Sequence, residues 1–201
     1  MSGFSDEERE QIRTELIEAG REQLLTVGPD RTRVIDVTEP VGIAKPTFYR
    51  FFDSKEELYL EIYRQEIESF TDRLRADLAE RDDPREQLEQ FFHSHVEFYE
   101  ENPYMQQAFS QNHPRDAIRG VSPEKLEETR QDLFDGGLPL IEAVQERSNG
   151  PISDLDPTTV YRLLKPIILL ISDHQASSRD YYEDVRDVSI SMLVRGLVLE
   201  E

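Results

Sequence analysis

Apolar residues recur at helical spacing through most of the chain and sustained period-2 alternation is absent, so the pattern predicts helices and no sheet. Leu16, Ala19, Gly20, Leu24 and Val27 share one face of a first helix that stops at Gly28-Pro29. Thr32 is placed to cap a short second helix with Val34, Val37 and Val41 on one side. Gly42 marks a tight turn, and a third short helix is expected from about Lys45 to Phe52. Asp53-Ser54 ends it, and Ser54 can cap a long fourth helix to about Glu80, with Leu58, Ile62 and Ile67 facing inward.

Further on, Asp82-Asp83-Pro84 opens a helix to about Glu101, and Asn102-Pro103 begins another, short one. Gln111–Gly120 reads as a loop or a broken helix. Ser122-Pro123 starts a helix to about Arg147, with an interruption expected at Gly136-Gly137, and Ser148-Asn149-Gly150-Pro151 is a linker. Asp156-Pro157 is an N-cap and N1 pair for a helix to about Ala176, and Arg179–Glu201 is the last. The expected fold class is all-α with nine or ten helices. Three short helices joined by tight turns at the start of such a chain suggest a helix-turn-helix.

The residues in that region carry more than a pattern. Gly42 permits the left-handed backbone of a sharp turn between helices. Pro46 suits a first helical turn, where its missing N–H costs nothing. Val37, Val41, Ile43, Phe48 and Phe52 can form a small core that clamps two helices. Lys45, Thr47 and Arg50 then fall on the outward side, where side chains reach a groove or phosphates. The stretch Thr32–Leu58, through Val37, Gly42, Lys45, Thr47, Tyr49, Phe52 and Ser54-Lys55-Glu56-Glu57-Leu58, resembles the TetR family signature in unbroken register.

That resemblance covers roughly residues 12–60 and implies an N-terminal DNA-binding domain over residues 1–55 and a C-terminal effector-binding and dimerisation domain over 56–201. It assigns DNA contact to Arg33, Lys45, Pro46, Thr47, Tyr49, Arg50 and Lys55. Tyr49 would send its hydroxyl to a phosphate while its ring packs, and Lys55 would add a phosphate contact at the start of the fourth helix. Four positions depart from the family pattern. Ile35 stands where many relatives are polar or basic, which removes one contact. Ala44 replaces a Ser at an N-cap, at about 1 kcal/mol of helix stability. Pro40 cannot donate back to Asp36, so the second helix should end early or kink. Phe51 either meets a thymine methyl or packs on the first helix.

Composition changes the picture in one respect. The chain has 201 residues, 37% hydrophobic, with 10 Phe and 8 Tyr, so a packed interior is expected. There is no cysteine, which excludes disulfides, thiolate metal sites and cysteine nucleophiles. No apolar run approaches the roughly 18 residues of a membrane span, and Met1–Glu10 is neither signal nor transit peptide, so a cytoplasmic protein with no membrane partner is expected. The net charge, however, is −20, unusual for a protein that meets phosphates. Its distribution softens the conflict: Thr32–Lys55 holds four basic and three acidic residues, so the excess lies mostly elsewhere. With four Lys against 19 Arg, the acid-rich, lysine-poor balance resembles proteins of a high-salt cytoplasm; an acidic protein of ordinary habitat is the alternative.

The remaining chemistry is sparser. The helix from Pro157 carries Val160, Leu163, Leu164, Ile167, Ile168 and Ile171; the last carries Val185, Val188 and Met192 on one stripe and Ile190, Leu193, Val194 and Leu197 on another. Faces this wide are either buried within one chain or shared with a second copy in a homodimer. Phe91, His95, Phe98, Tyr104, Phe109, Tyr161 and His174 are candidates for lining an effector pocket, and an ordinary aromatic core explains them equally. His93 and His95 cannot face one metal from one helix, and no cofactor or metal site is expected. No nucleophile–base pair, phosphate-binding glycine loop or catalytic carboxylate pair is seen, so the reading is not an enzyme. The expected function is a repressor that leaves operator DNA when a small-molecule effector binds. The alternative is a ligand- or partner-binding module of the same fold without operator binding.

Overall fold

The computed structural model describes residues 4–110, 118–167 and 182–198, with 108–110 by backbone alone. Among these residues it is all-α: nine α-helices, one short 3-10 helix and no strand. The chain divides into two compact units, residues 1–66 with 107–127, and residues 67–106 with 128–201. No helix among the described residues is long and apolar enough to cross a membrane.

The first unit starts with α1 (Asp6–Thr26), entered through a reciprocal capping box in which Glu8 N–H donates to Ser5 Oγ and Ser5 N–H donates to Glu8 Oε2. α1 buries Leu16, Ile17, Gly20 and Leu24. A Cβ on Gly20 would lie 2.8 Å from Leu58 Cδ2, so the glycine lets the first turns of α4 (Lys55–Ala79) approach closely. Ser54 caps α4 as expected, accepting from Glu57 N–H at 3.1 Å. Leu58, Tyr59 and Ile62 of α4 are fully enclosed, whereas Ile67, expected inward, is only half-buried. Glu61 ties this helix to α1. It accepts from Arg13 and, through both carboxylate oxygens, from Arg64.

Between these helices lie α2 (Val34–Val41) and α3 (Lys45–Phe48), and three expectations change there. The N-cap of α2 is Arg33 rather than Thr32, which is buried with its hydroxyl donating to Gly28 O at 2.8 Å and so closes the preceding turn instead. α2 does not end at Pro40 but runs one residue past it, because the amide that the proline lacks serves only Asp36 O, while Gly42 and Ile43 N–H close the end on Glu39 and Thr38. α3 is a single turn that ends at Phe48. Beyond it Arg50 and Phe51 N–H bond three residues back, a tighter geometry that carries the chain to Phe52.

α5 (Pro84–Glu101) and α6 (Pro103–Ser110) begin in the second unit and α7 (Pro123–Gln145) in the first, at the Asp83-Pro84, Asn102-Pro103 and Ser122-Pro123 steps read from sequence. α4, α6 and α7 each contribute residues to both units. α7 is not interrupted at Gly136-Gly137. A Cβ on Gly137 would lie 2.6 Å from the Tyr161 ring, so that glycine serves close packing and not a bend. The expected linker leads into a 3-10 turn (Pro151–Asp154) that buries Ile152. α8 (Pro157–Arg162) stops at a turn on Leu163 and resumes over 164–167, since Pro166 cannot donate to Arg162 O. The last helix, α9 (Tyr182–Val198), packs on α5 and on the 3-10 turn and buries a stripe of Ile190, Val194 and Leu197. The expected loop at 111–117 and the helical continuation over 168–181, with Ile168, Ile171 and His174, lie outside the described residues.

Candidate nucleic-acid interface

The turn before α3 is made by Gly42, whose φ of 73° is the left-handed backbone that an L side chain resists. Ala44 follows in extended conformation as the N-cap of α3, with no side chain to receive an amide. The single turn of α3 hangs from Phe48, fully enclosed, with its ring 5.7 Å from Phe52 and 5.5 Å from Tyr49. With Phe48 and Phe52 turned inward, Lys45, Pro46, Tyr49 and Arg50 are exposed and Thr47 is half-buried. Tyr49 meets Phe48 edge-on at 89° and keeps 48% of its surface, so its ring is anchored while the hydroxyl stays available. Val37 is fully buried in the clamp, and Val41 and Ile43 are half-buried.

Two further cations have partners, Arg33 at a spacing visible in the sequence and Lys55 on distant backbone carbonyls. Arg33 is exposed but lies along Asp36, with Nε–Oδ2 at 3.1 Å and Nη2–Oδ1 at 2.7 Å. The same carboxylate accepts Arg33 N–H, so Asp36 caps α2 while its hydrogen bonds with Arg33 hold it below the usual carboxylate range. Lys55 is half-buried, and its Nζ donates to Pro29 O at 2.6 Å and Thr32 O at 3.0 Å. It fastens the loop between α1 and α2. Ile35 stays exposed at 41%. Phe51 is half-buried, 6.3 Å from the Phe4 ring and beneath the Arg9 guanidinium at 5.6 Å, so it packs towards α1. Arg50 has its Cζ 5.0 Å from the Phe4 ring centroid. Phe4 did not emerge from periodicity, although an aromatic directly before a Ser-x-x-Glu box was a readable signal.

The candidate effector residues lie in the second unit. Phe91, His95 and Phe98 on α5 are buried, and Tyr161 on α8 joins them, 6.0 Å from both Phe91 and His95. Phe70 and Phe134, which were not expected, complete the cluster: Phe70 stacks on Phe98 at 4.3 Å and Phe134 lies 5.2 Å from Tyr161. These rings fill one another's space. Tyr104 lies half-buried in the first turn of α6, while the Phe109 side chain and His174 are outside the described residues. On the flank of the cluster an open cleft of about 560 Å³ runs along α4 and α5, with Phe70, Leu74 and Phe98 beneath and Arg73, Asp77, Glu97 and Glu101 at its edges. No group of metal-ligating side chains is found among the described residues.

A buried-aromatic helical turn set on a left-handed glycine, at the start of an all-α chain, defines a helix-turn-helix protein with a second helical unit. Residues 16–62 match the family model described as bacterial regulatory proteins, tetR family. A fatty acid metabolism regulator protein of Bacillus subtilis is 24% identical over 74 residues, which span 37% of this chain and 38% of that protein. Among solved structures, the transcriptional regulator FadR of Bacillus subtilis in complex with stearoyl-CoA superposes with a TM-score of 0.64 at 17% identity, over 92% of this chain and 98% of that one. A TetR/AcrR-family regulator of Thermobifida fusca gives 0.66 at 20% identity over 92% and 98%. At these identities the structural likeness establishes the fold. The chain is thus similar to the tetR family over residues 16–62, and to solved regulators of that family in fold.

Proposed function

We propose that the chain is a homodimeric, operator-binding repressor that leaves DNA when a small molecule occupies its second unit. The observation that carries this reading is the α3 segment, where Phe48 is buried while Lys45, Tyr49 and Arg50 are exposed and Thr47 is half-buried beside them. In it, Lys45 and Arg50 supply charge, Thr47 and Tyr49 hydroxyls, and Pro46 the backbone that starts the turn. Arg33 contributes only by exchanging Asp36 for a phosphate. Lys55 acts mainly by holding the loop that positions α2. On this reading residues 1–55 form the DNA-binding part and residues 56–201 the effector and dimer part.

Dimerisation is supported by α9, where Val185, Val188 and Met192 remain exposed at 46, 56 and 69% opposite the buried stripe. A second copy covering that stripe would give the two-fold symmetry of an operator with two half-sites. The effector is read as an apolar or amphipathic small molecule, taken up by displacement of the rings around Phe91, His95, Phe98 and Tyr161. The cleft beside them sets one cation, Arg73, against Asp77, Glu97 and Glu101, which disfavours a polyanionic head group at that mouth. Selection of duplexes from a random-sequence library by the whole chain tests the proposal. A two-fold symmetric consensus with half-sites about one helical turn apart is the expected result; recovery of no consensus would assign the chain to the alternative of a helical module without operator binding.

A further inference from the structure

Arg50, exposed just past the α3 turn, has an aromatic neighbour. Its guanidinium carbon lies 5.0 Å from the centroid of the Phe4 ring, from a part of the chain that precedes α1 altogether. Phe4 is held from two sides. Its neighbour Ser5 is fixed by the reciprocal bonds with Glu8, at 3.2 and 2.8 Å. Its ring lies 6.3 Å from that of Phe51 at 42°, and Phe51 in turn carries the Arg9 guanidinium at 5.6 Å. The order Arg9, Phe51, Phe4, Arg50 therefore sets two adjacent rings between two cations, from the side of α1 to the end of the α3 segment.

A guanidinium is drawn to the negative face of a ring, and the planar group stacks there with much of its rotamer freedom already spent. An exposed arginine on a flexible stem would have to be ordered when it meets DNA. We propose that Phe4 is a positioning residue for DNA recognition, holding the Arg50 guanidinium ready beside the recognition turn. The inference rests on the reading of Arg50 as a DNA-contacting residue. It assigns a role in recognition to the segment before α1.

The test uses the full chain and a duplex selected by the wild-type protein from a random-sequence library, with binding isotherms at one fixed salt concentration. Phe4→Ala and Phe4→Leu, the second of which keeps apolar contact with Phe51 but has no ring, should each weaken binding roughly two- to fivefold. Phe4→Trp should retain it. In an Arg50→Ala background, Phe4→Ala should have no further effect, and the base preferences lost by Phe4→Ala should be those lost by Arg50→Ala. Thermal melts check that each variant folds. Wild-type affinity in Phe4→Ala, with Arg50→Ala weakened, would overturn the role of Phe4 and leave the DNA reading standing. Additive losses in the double variant would also overturn it, because Phe4 would then act independently of Arg50. Tighter binding by Phe4→Ala would mean that the ring withholds the guanidinium from DNA. Wild-type affinity in Arg50→Ala would refute the reading of Arg50 itself and the proposal with it.

Discussion

His95 shows what enclosure does to one side chain. Its imidazole lies among Phe70, Phe91 and Tyr161, with Nδ1 at 2.7 Å from Phe91 O; a carbonyl can only accept, so Nδ1 carries the proton. Burial pushes its pKa down to about 4, against the smaller opposing effect of that hydrogen bond. The folded state therefore prefers neutral histidine. The resulting stability is fully present above the unfolded value near 6.5 and is lost as pH falls through about 4. Replacing the ring without its titration, as His95→Phe, should flatten the stability profile between those two values while keeping the aromatic contacts. Urea midpoints across that range measure it, and an equally steep profile in the variant would place the acid sensitivity elsewhere. Glu61, brought down to about 2 because its bonds from Arg64 and Arg13 outweigh burial, acts in a lower window, from about 4.5 to 2, so the two effects separate by pH.

At the level of elements, α3 is the weakest helix of the first unit. It has one turn and an N-cap, Ala44, that offers no acceptor. Ala44 already has extended cap geometry, with φ −75° and ψ 146°, so Ala44→Ser should supply the missing bond without moving the backbone and stabilise the protein by about 1 kcal/mol. A thermal melt that is unchanged or lowered would show that the serine hydroxyl does not reach the turn. Helix starts were legible wherever a cap and a proline or acidic first turn stood together, as at Ser54, Asp83-Pro84, Asn102-Pro103 and Asp156-Pro157. Features that depend on a distant partner were not. Gly137 suggested a break until the Tyr161 ring is seen against it. Lys55 looked available because its acceptors, the carbonyls of Pro29 and Thr32, leave no trace in side-chain pattern. Pro166 did carry a readable signal for the turn at Leu163. The outward positions of Lys45, Tyr49 and Arg50 were legible because one buried residue, Phe48, fixes the register of a single turn.

For the whole molecule, charge sets the terms. A net −20 over 201 residues makes self-repulsion the dominant long-range force, and it acts over about 30 Å at 0.01 M salt but about 3 Å at 1 M. The melting temperature should therefore rise between 0.1 and 2 M potassium chloride, opposite to what surface ion pairs alone would give. A falling melting temperature would contradict the high-salt reading of the composition. On the proposed function, repulsion between an acidic chain and phosphates also offsets part of the counterion-release term that normally weakens DNA binding with salt. Specific recognition must then come from geometry more than from bulk attraction. The most direct test is the ratio of affinities for a selected duplex and a scrambled duplex of equal length, measured for the wild type, Lys45→Ala and Arg50→Ala at one salt concentration. A ratio well above one in the wild type, falling at least tenfold in Arg50→Ala and by less in Lys45→Ala with both variants folded, is the predicted result. Equal affinity for the two duplexes, or a ratio unmoved by either substitution, would contradict the assignment of this face to DNA.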